Sequence, residues 1–181
     1  MKRINIFVDV LPHQKRFINS KARHPVLVAG YGAGKSEALV FRIMNQLHKR
    51  GPGTIAIVGA PTYDLCRRVN IPDFATFLEN AGIEYVLNRS EFKMAIGGGI
   101  DGIIYFRSFE RPEKWVGFEA ADCVLDEFDI VKKEKQEEIW QKALARMRAV
   151  ENATIGITTT PEGYRFTYEL VNSGNENVEY I

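Results

Sequence analysis

The sequence predicts an α/β fold in which helices flank a mostly parallel central sheet. Short apolar runs of strand length alternate along the chain with longer segments of helical period, which is typical of this class. An apolar strand at 26–29 leads through a glycine-rich segment into a helix-forming stretch at 37–49. With 181 residues, 45% of them hydrophobic, the chain can bury one core, so we expect a single domain over 1–181.

The predicted helices follow from apolar residues that recur with helical period and from the turn residues that bound them. One of these regions is expected to break near Pro72, because proline lacks the N–H donor and disfavours helix in the residue before it. The last long helix is charged and carries an apolar stripe that should face the core. The predicted helices are 14–22, 37–49, 63–80, 132–150 and 164–171.

The predicted strands are short and rich in apolar, β-branched or aromatic residues. Gly97-Gly98-Gly99 suits a tight turn between two of them, so we expect a small antiparallel extension at the sheet edge. Another strand is interrupted by Asp122 and Cys123 but ends on the apolar pair Val124-Leu125. The predicted strands are 26–29, 54–60, 84–89, 92–96, 103–108, 121–126 and 154–159, with a further one beginning at 178.

Composition and charge exclude several classes of function. The net charge of +1 gives no overall attraction to nucleic acid, so any contact with DNA would be local or transient. No apolar run approaches the length of a membrane span, and no membrane partner is expected. The two cysteines, Cys66 and Cys123, lack metal-ligand spacing and are expected to be reduced thiols.

The glycine-rich segment between the first strand and its helix has the pattern of a phosphate-binding loop. Glycines let the backbone curl so that its N–H groups face an anion, and the new helix adds partial positive charge there. Lys35 would reach the β- and γ-phosphates of a nucleotide, and Ser36 would ligate magnesium. Ala29 stands where the pattern has its first glycine, and we expect the next glycine to supply the bend. The predicted phosphate-binding residues are Gly30, Tyr31, Gly32, Ala33, Gly34, Lys35 and Ser36.

An acidic pair follows the predicted strand 121–126. Nucleotide hydrolysis needs a metal site and a group that positions or deprotonates water. Asp126 at the strand end can meet the magnesium held by Ser36, and Glu127 can act on the attacking water. Acidic pairs at strand ends are common, and it is the preceding phosphate-binding loop that favours catalysis here over two solvated acids.

Two further segments extend the predicted site. In Thr158-Thr159-Thr160-Pro161, three hydroxyls at a strand end could sense the γ-phosphate and pass the change outward, although threonine also simply favours strands. The amide of Gln14 offers both a donor and an acceptor, which matches the adenine edge, although a single glutamine is more often a surface residue.

These motifs, in this order, resemble the ATPase domain of the phage terminase large subunit. The resemblance implies a P-loop NTPase fold of the additional-strand, catalytic-glutamate type. It also implies that Mg-ATP hydrolysis drives double-stranded DNA into a procapsid. The segments that carry the resemblance are Leu11-Pro12-His13-Gln14, 29–36, Leu125-Asp126-Glu127 and Thr158-Thr159-Thr160-Pro161.

The same resemblance implies partners and a further domain. The expected partners are double-stranded DNA, the portal protein and the small terminase subunit. The active form would be a homo-oligomeric ring on the capsid, in the host cell cytoplasm at the procapsid portal. Members of this family carry a metal-dependent nuclease domain after the ATPase domain, and this sequence ends before any such acidic cluster. We therefore expect the chain to come from a longer protein, with no nuclease activity in 1–181.

The chain departs from the family where a basic residue would complete the transition-state charge. The segment 106–117 is similar to terminases, but Val116 and Tyr31 occupy two positions where many members have basic residues. Arg107, Arg111 and Lys114 are the nearby basic candidates. We expect Arg111 to serve as the catalytic arginine, offered across a subunit interface; alternatively, Arg111 and Lys114 simply solvate a loop.

Two alternative functions share these motifs. A helicase-type DNA-remodelling ATPase would use the same residues and pair this domain with a second, similar core domain after Ile181. A non-catalytic nucleotide-binding assembly module would use ATP only to fix its shape. The intact Glu127 argues against the second alternative, because a purely regulatory site does not need a residue that prepares water.

Overall fold

The structure is a computed structural model that describes residues 8–181. The first seven residues of the predicted domain 1–181 therefore lie outside the described part. The helices are α1 (Pro12–Asn19), α2 (Lys35–Arg50), α3 (Tyr63–Leu65), α4 (Ile71–Asn80), α5 (Lys133–Met147) and α6 (Phe166–Asn172). The strands are β1 (His24–Val28), β2 (Ile55–Ala60), β3 (Tyr85–Asn88), β4 (Lys93–Ile96), β5 (Gly102–Ser108), β6 (Asp122–Asp126), β7 (Thr154–Thr159) and β8 (Val178–Tyr180).

All of these strands belong to one sheet with the order β3-β4-β5-β2-β6-β7-β1-β8. The six strands from β5 to β8 in this order pair in parallel. β3 and β4 add an antiparallel extension at the β5 edge. β7 lies between β1, which precedes the phosphate-binding loop, and β6, which carries the acidic pair. The predicted fold class is confirmed, including the additional strand and the small antiparallel extension.

Helices cover both faces of the sheet, so the central strands are buried on both sides. Successive side chains of a strand point to opposite faces. Val58 and Val124 accordingly pack in the core under α2 and α4. Their neighbours Ile57 and Leu125 pack in the core under α5. The predicted apolar stripe of α5 is buried there at Ile139, Trp140, Ala143 and Met147, with Leu144 partly buried against it.

The helices differ from the sequence prediction at two places. α1 begins at Pro12 rather than at residue 14 and ends before Ser20, since proline fits the first turn of a helix, where its missing N–H is not needed. The interruption predicted near Pro72, with two helices in this region, is present, but it is not a break at the proline itself. The chain instead passes from α3 through a π-helical turn, Cys66–Asn70, directly into α4, and Pro72 lies in the first turn of α4.

A buried ion pair ties α2 to the sheet. Arg42 on α2 is 0% exposed and Asp122 at the start of β6 is 1% exposed, with an N···O distance of 3.5 Å. Arg42 also donates to the carbonyl of Phe17 in α1 at 2.8 Å and to the hydroxyl of Thr154 in β7 at 2.9 Å. The Thr154 hydroxyl in turn donates to Asp122. Asp122, which the sequence presented as an interruption of the strand, is thus the partner of a buried cation.

Two sequence expectations about composition can be compared with the structure. Cys66 and Cys123 are both free and buried, as expected for reduced thiols. Within residues 8–181, no helix is both long enough and apolar enough to cross a membrane.

The ring of His24 has an environment that should make folding depend on pH. It is buried against Trp140, with ring centroids 4.9 Å apart. Burial, aided by the charge of Arg23, lowers the pKa of His24 from 6.5 to about 4. Between these two pH values the unfolded chain binds a proton that the folded chain excludes. Stability is therefore lost as the pH falls from 6.5 towards 4.

We expect the His24→Gln variant to lose less stability than the wild type between pH 7 and pH 4.5, by on the order of 2 kcal/mol. The measurement is urea denaturation at the two pH values. His48→Gln, at an exposed histidine, is the matched control and should behave as the wild type does. Equal losses in wild type and His24→Gln would contradict the assignment.

Candidate nucleotide-binding site

The predicted site residues converge at the carboxyl ends of three neighbouring strands. β1 pairs with β7 so that Val28 lies opposite Thr159, and β6 pairs with β7 so that Asp126 lies opposite Thr158. The phosphate-binding loop, the acidic pair and the threonine segment therefore leave the sheet side by side. This edge is where open parallel sheets bind ligands.

The phosphate-binding loop obtains its curvature from two glycines. Gly32 and Gly34 both have φ +74°, in the left-handed region that side chains disfavour. A Cβ at Gly34 would also lie 2.3 Å from the side-chain nitrogen of Gln14. Gly30, which was expected to supply the bend, has no positive φ, and a Cβ there would meet open space. That expectation was wrong, because the left-handed residues come later in the loop. Position 29 does not need a left-handed conformation, which explains why the chain tolerates alanine there.

Lys35 is the first residue of α2 and is 7% exposed. Its ammonium donates to the carbonyls of Ala29 at 3.0 Å and Gly30 at 3.1 Å, and to the hydroxyl of Thr160 at 2.9 Å. An ammonium has three N–H donors, so these acceptors use all of them. A phosphate that contacts Lys35 must therefore replace at least one of these acceptors.

Glu127 lies beside this lysine. Its Oε1 is 3.8 Å from Lys35 Nζ, and its Oε2 accepts a hydrogen bond from the backbone N–H of Thr160 at 3.3 Å. Glu127 has φ +46°, a left-handed conformation that is uncommon for a residue with a side chain. Backbone strain of this kind persists where the surrounding structure imposes it, and it concentrates at functional sites. Lys35, Glu127 and Thr160 thus form one connected group.

Asp126 is 3% exposed at the end of β6. Its Oδ1 accepts a hydrogen bond from the Thr158 hydroxyl, and its Oδ2 accepts one from the side-chain amide of Asn70, both at 2.8 Å. Burial raises the pKa of Asp126 to about 6, although these two hydrogen bonds oppose the change. A cation at this carboxylate would favour its charged form.

The middle threonine contacts the segment that follows the acidic pair. The Thr159 hydroxyl accepts a hydrogen bond from the backbone N–H of Asp129 at 2.9 Å. Since Thr158 contacts Asp126 and Thr160 contacts both Lys35 and Glu127, each of the three predicted coupling residues touches a different part of the site. Their roles in coupling stay a prediction.

A family model described as "Terminase large subunit, T4likevirus-type, N-terminal" matches residues 26–179. The chain belongs to this terminase family. Sequence comparison with curated proteins gives no match.

Solved structures of phage large terminases resemble this terminase domain. The large terminase ATPase domain of Thermus phage P74-26 gives a TM-score of 0.80 at 20% identity, covering 96% of this chain and 80% of that one. The large terminase of another thermophilic bacteriophage, in complex with ADP, gives 0.76 at 17% identity, covering 96% and 45%. The HK97 bacteriophage large terminase gives 0.79 at 13% identity, covering 97% and 39%.

These likenesses, at low identity, show the fold that the terminase domain shares with its relatives. The chain spans less than half the length of the ADP-bound terminase and of the HK97 protein. A further structure of the same ADP-binding terminase contains ATP-gamma-S. The carboxyl edge of the sheet, described above, is the candidate site in this chain.

The residues at this edge fit a magnesium nucleotide. The loop offers left-handed glycines and the start of the long helix α2 to phosphate, with a buried lysine beside them. Ser36 and Asp126 offer a hydroxyl and a carboxylate, which are hard oxygen ligands of the kind that Mg²⁺ prefers. No group of three His, Cys, Asp or Glu side chains suited to a metal occurs within 8–181. A magnesium site here would use these two residues together with the phosphates.

Gln14 lies against the phosphate-binding loop. It is 1% exposed, and its amide nitrogen donates to the carbonyl of Gly34 at 2.9 Å and to Glu37 at 3.0 Å. Its amide oxygen accepts from the backbone N–H of Leu11 at 2.8 Å. Gln14 thus connects α1 to the loop and to α2, and is not a surface residue. Contact with adenine stays a prediction.

The structure does not bring Arg111 to the lysine of its own chain. Arg111 is exposed and follows β5, which is four strand positions from β1 in the sheet order, or roughly 19 Å at ordinary strand spacing. Arg107 packs over the rings of Tyr105 and Phe118, at 4.6 and 5.3 Å from their centroids. Tyr31 is 85% exposed, with Lys35 Nζ 5.7 Å from its ring centroid. A role of Arg111 across a subunit interface stays a prediction.

Sequence reasoning missed the polar side chains that support the site from behind. Asn70 contacts Asp126 from the π-helical turn. Arg165 donates to the carbonyls of Asp129 and Val131, and so joins the segment after β7 to the segment after β6. These residues had no sequence signal, since each lies in no motif and is far along the chain from its partner.

Gln136 on α5 is the most connected of the residues that were missed. It is 0% exposed, and its amide nitrogen donates to the Phe128 carbonyl at 2.9 Å and to Asp129 Oδ1 at 2.8 Å. Its amide oxygen accepts from the backbone N–H of Phe166 at 3.3 Å, at the start of α6. Gln136 therefore holds the segment that follows Glu127.

We expect Gln136→Leu to lower the free energy of unfolding by about 2–3 kcal/mol, because two buried polar groups and one partly buried group lose their partner. Equilibrium urea denaturation measures this change. The matched control is Gln141→Leu at an exposed position of the same helix, with an expected change within about 0.5 kcal/mol. Similar effects of the two substitutions would contradict the role of Gln136.

Proposed function

We propose that this terminase domain binds Mg-ATP, hydrolyses it and uses the reaction to move double-stranded DNA into a procapsid. The observation that carries the proposal is the connected group of Lys35, Glu127 and Thr160 at the end of β1, β6 and β7. Lys35 is a cation that can bind phosphate, and Glu127 is a carboxylate that can act on water. Thr160 contacts both of them. Membership of the terminase large subunit family supports the proposal of an ATPase that acts in DNA packaging.

Binding begins at the loop. The backbone N–H groups of Gly32 to Ser36 and the start of α2 attract the phosphates. Lys35 exchanges one or more of its present acceptors for phosphate oxygens. Ser36 and Asp126 would hold Mg²⁺, which when bound neutralises charge that develops on the phosphates.

Hydrolysis requires a side chain that can accept a proton from the attacking water. Glu127 is the general base of the proposal, since its carboxylate lies beside the lysine that contacts phosphate and is 20% exposed, so water can reach it. Before nucleotide binds, the Thr160 N–H donates to this carboxylate, and the Lys35 ammonium lies 3.8 Å from it. Movement of Lys35 to phosphate releases Glu127 for water.

Coupling follows from the shared contacts of Thr160. Its hydroxyl contacts Lys35 and its N–H contacts Glu127, so loss of the γ-phosphate changes both partners at once. The change passes through Arg165 and Gln136 to α5 and α6. We propose that these helices carry the movement to the rest of the packaging machine.

The remaining parts of the proposal concern the assembly. The active form is a homo-oligomeric ring on the procapsid portal in the host cytoplasm, with the portal protein and the small terminase subunit as partners. Arg111, exposed and remote from Lys35 of its own chain, is offered to the nucleotide of a neighbouring subunit.

The decisive experiment is a packaging assay with the full-length terminase, its small subunit, procapsids and linear DNA. The wild type should protect DNA from nuclease in an ATP-dependent manner, whereas Glu127→Gln should not. ATP-dependent strand separation without packaging would instead identify a helicase. Packaging that proceeds unimpaired with Glu127→Gln would identify a non-catalytic assembly module.

Glu127→Gln in the full-length terminase assembled on procapsids should lower the rate of ATP hydrolysis by about 100-fold or more, because an amide cannot accept a proton from water. Steady-state phosphate release is the measurement. Glu162→Gln, at an exposed position of the segment after β7, is the control and should hydrolyse ATP at the wild-type rate. Unchanged hydrolysis by Glu127→Gln would remove its catalytic role.

Lys35→Ala should weaken ATP binding by about 10-fold or more, since the charge-assisted contacts to phosphate are lost. Fluorescence titration with a labelled ATP analogue measures the affinity. Lys21→Ala, at an exposed lysine that precedes β1, is the control and should bind as the wild type does. Undiminished affinity of Lys35→Ala would refute the phosphate-binding loop.

A further inference from the structure

The π-helical turn Cys66–Asn70 lies between α3 and α4, on a segment that the proposed mechanism does not use. Turns of this type are rare and occur mainly at functional sites. Cys66 and Asn70 are buried at its two ends, whereas Arg67, Arg68 and Val69 between them are exposed. The turn packs against β2 and β5, and Asn70 at its last position reaches Asp126 at the end of β6.

Asn70 is 2% exposed, and its side-chain nitrogen donates to Asp126 Oδ2 at 2.8 Å. The Thr158 hydroxyl donates to Oδ1 of the same carboxylate, also at 2.8 Å. Asp126 is thus held by one neutral donor on each oxygen. Thr158 belongs to the neighbouring strand, but Asn70 comes from a helical segment outside the sheet, 56 residues before Asp126.

The other half of the Asn70 amide has no partner. Its Oδ1 is buried, and within residues 8–181 no donor lies in hydrogen-bonding range. A buried acceptor without a partner is unfavourable and uncommon. Exchanging the oxygen and nitrogen would not help, because the oxygen would then face a carboxylate, which only accepts. The unpartnered oxygen lies within one amide's width of the nitrogen that contacts Asp126.

We propose that Asn70 is a positioning residue of the magnesium site. Its nitrogen orients Asp126, and its oxygen accepts a hydrogen bond from a water molecule of the Mg²⁺ shell. The chemistry is suitable, since Mg²⁺ retains several waters in protein sites and these waters are strong donors. Residues behind the metal ligands commonly orient them in this way, and their loss typically lowers metal affinity by 10–100-fold. The inference rests on the proposed function, because it presupposes that Asp126 meets Mg²⁺.

The test measures metal dependence rather than turnover. A fluorescent ATP analogue is titrated into the 181-residue chain at a series of Mg²⁺ concentrations and in EDTA. In Asn70→Leu, which keeps the approximate volume but neither hydrogen bond, the Mg²⁺ concentration for half-maximal enhancement of binding should rise about 10-fold. Affinity in EDTA should stay within about 2-fold of wild type, since Lys35 and the loop are unchanged.

Two further variants separate this role from a structural one. Asn70→Ser, which is smaller and polar, should show the same increase, and it replaces Asn70→Leu if leucine is not accommodated. Cys66→Ala alters the buried side of the same turn without touching Asp126, and should keep the wild-type dependence on Mg²⁺. The proposal would be overturned if nucleotide affinity in EDTA changed as much as the Mg²⁺ concentration for half-maximal enhancement of binding. It would also be overturned if Cys66→Ala raised that Mg²⁺ concentration to the same extent.

The wild type separates failure of this inference from failure of the proposed function. If Mg²⁺ enhances nucleotide binding in the wild type and equally in both Asn70 variants, the role of Asn70 is refuted while the proposed function stands. If Mg²⁺ has no effect on nucleotide binding in the wild type, both are refuted.

Discussion

Strand β7 pairs in parallel with β1 on one side and with β6 on the other, and this arrangement decides where every functional group lies. Parallel pairing aligns carboxyl ends, so the phosphate-binding loop, the threonines and the acidic pair leave the sheet at one edge. Without β7 in the middle, Thr160 could not contact both Lys35 and Glu127. The covering helices on both faces make this pairing stable, because the central strands are apolar on both sides.

β6 carries an aspartate at each end, and the two have opposite surroundings. Asp122 is paired with Arg42. Arg42 is a buried cation, and without this partner its burial would carry a large free-energy cost. Asp126 has only neutral donors, from Thr158 and Asn70. Burial raises the pKa of both carboxyls, but only at Asp122 does a nearby protein cation oppose this change. The hydrogen-bond partners of the carboxylate at the functional edge are thus neutral, which would suit a carboxylate that receives a metal cation.

Lys35 is saturated by protein acceptors, so any phosphate that contacts it must displace at least one of them. Such a displacement would alter the contacts of Thr160 and of Glu127, since both touch the lysine. From there Arg165 and Gln136 connect to α5 and α6. The proposed coupling would use these discrete contacts, which form or break rather than deform gradually.

The sequence by itself determined the fold class, nearly all of the elements and the motif residues, because these depend on local spacing: apolar period, glycine placement and residue type at strand ends. It also sufficed to indicate the family. Only the tertiary structure decided which side chains meet. The contact of Asn70 with Asp126 joins residues 56 apart, and that of Lys35 with Thr160 joins residues 125 apart. The pairing of Asp122 with Arg42 and the π-helical turn before Pro72 likewise depend on packing between distant segments, which no local pattern encodes.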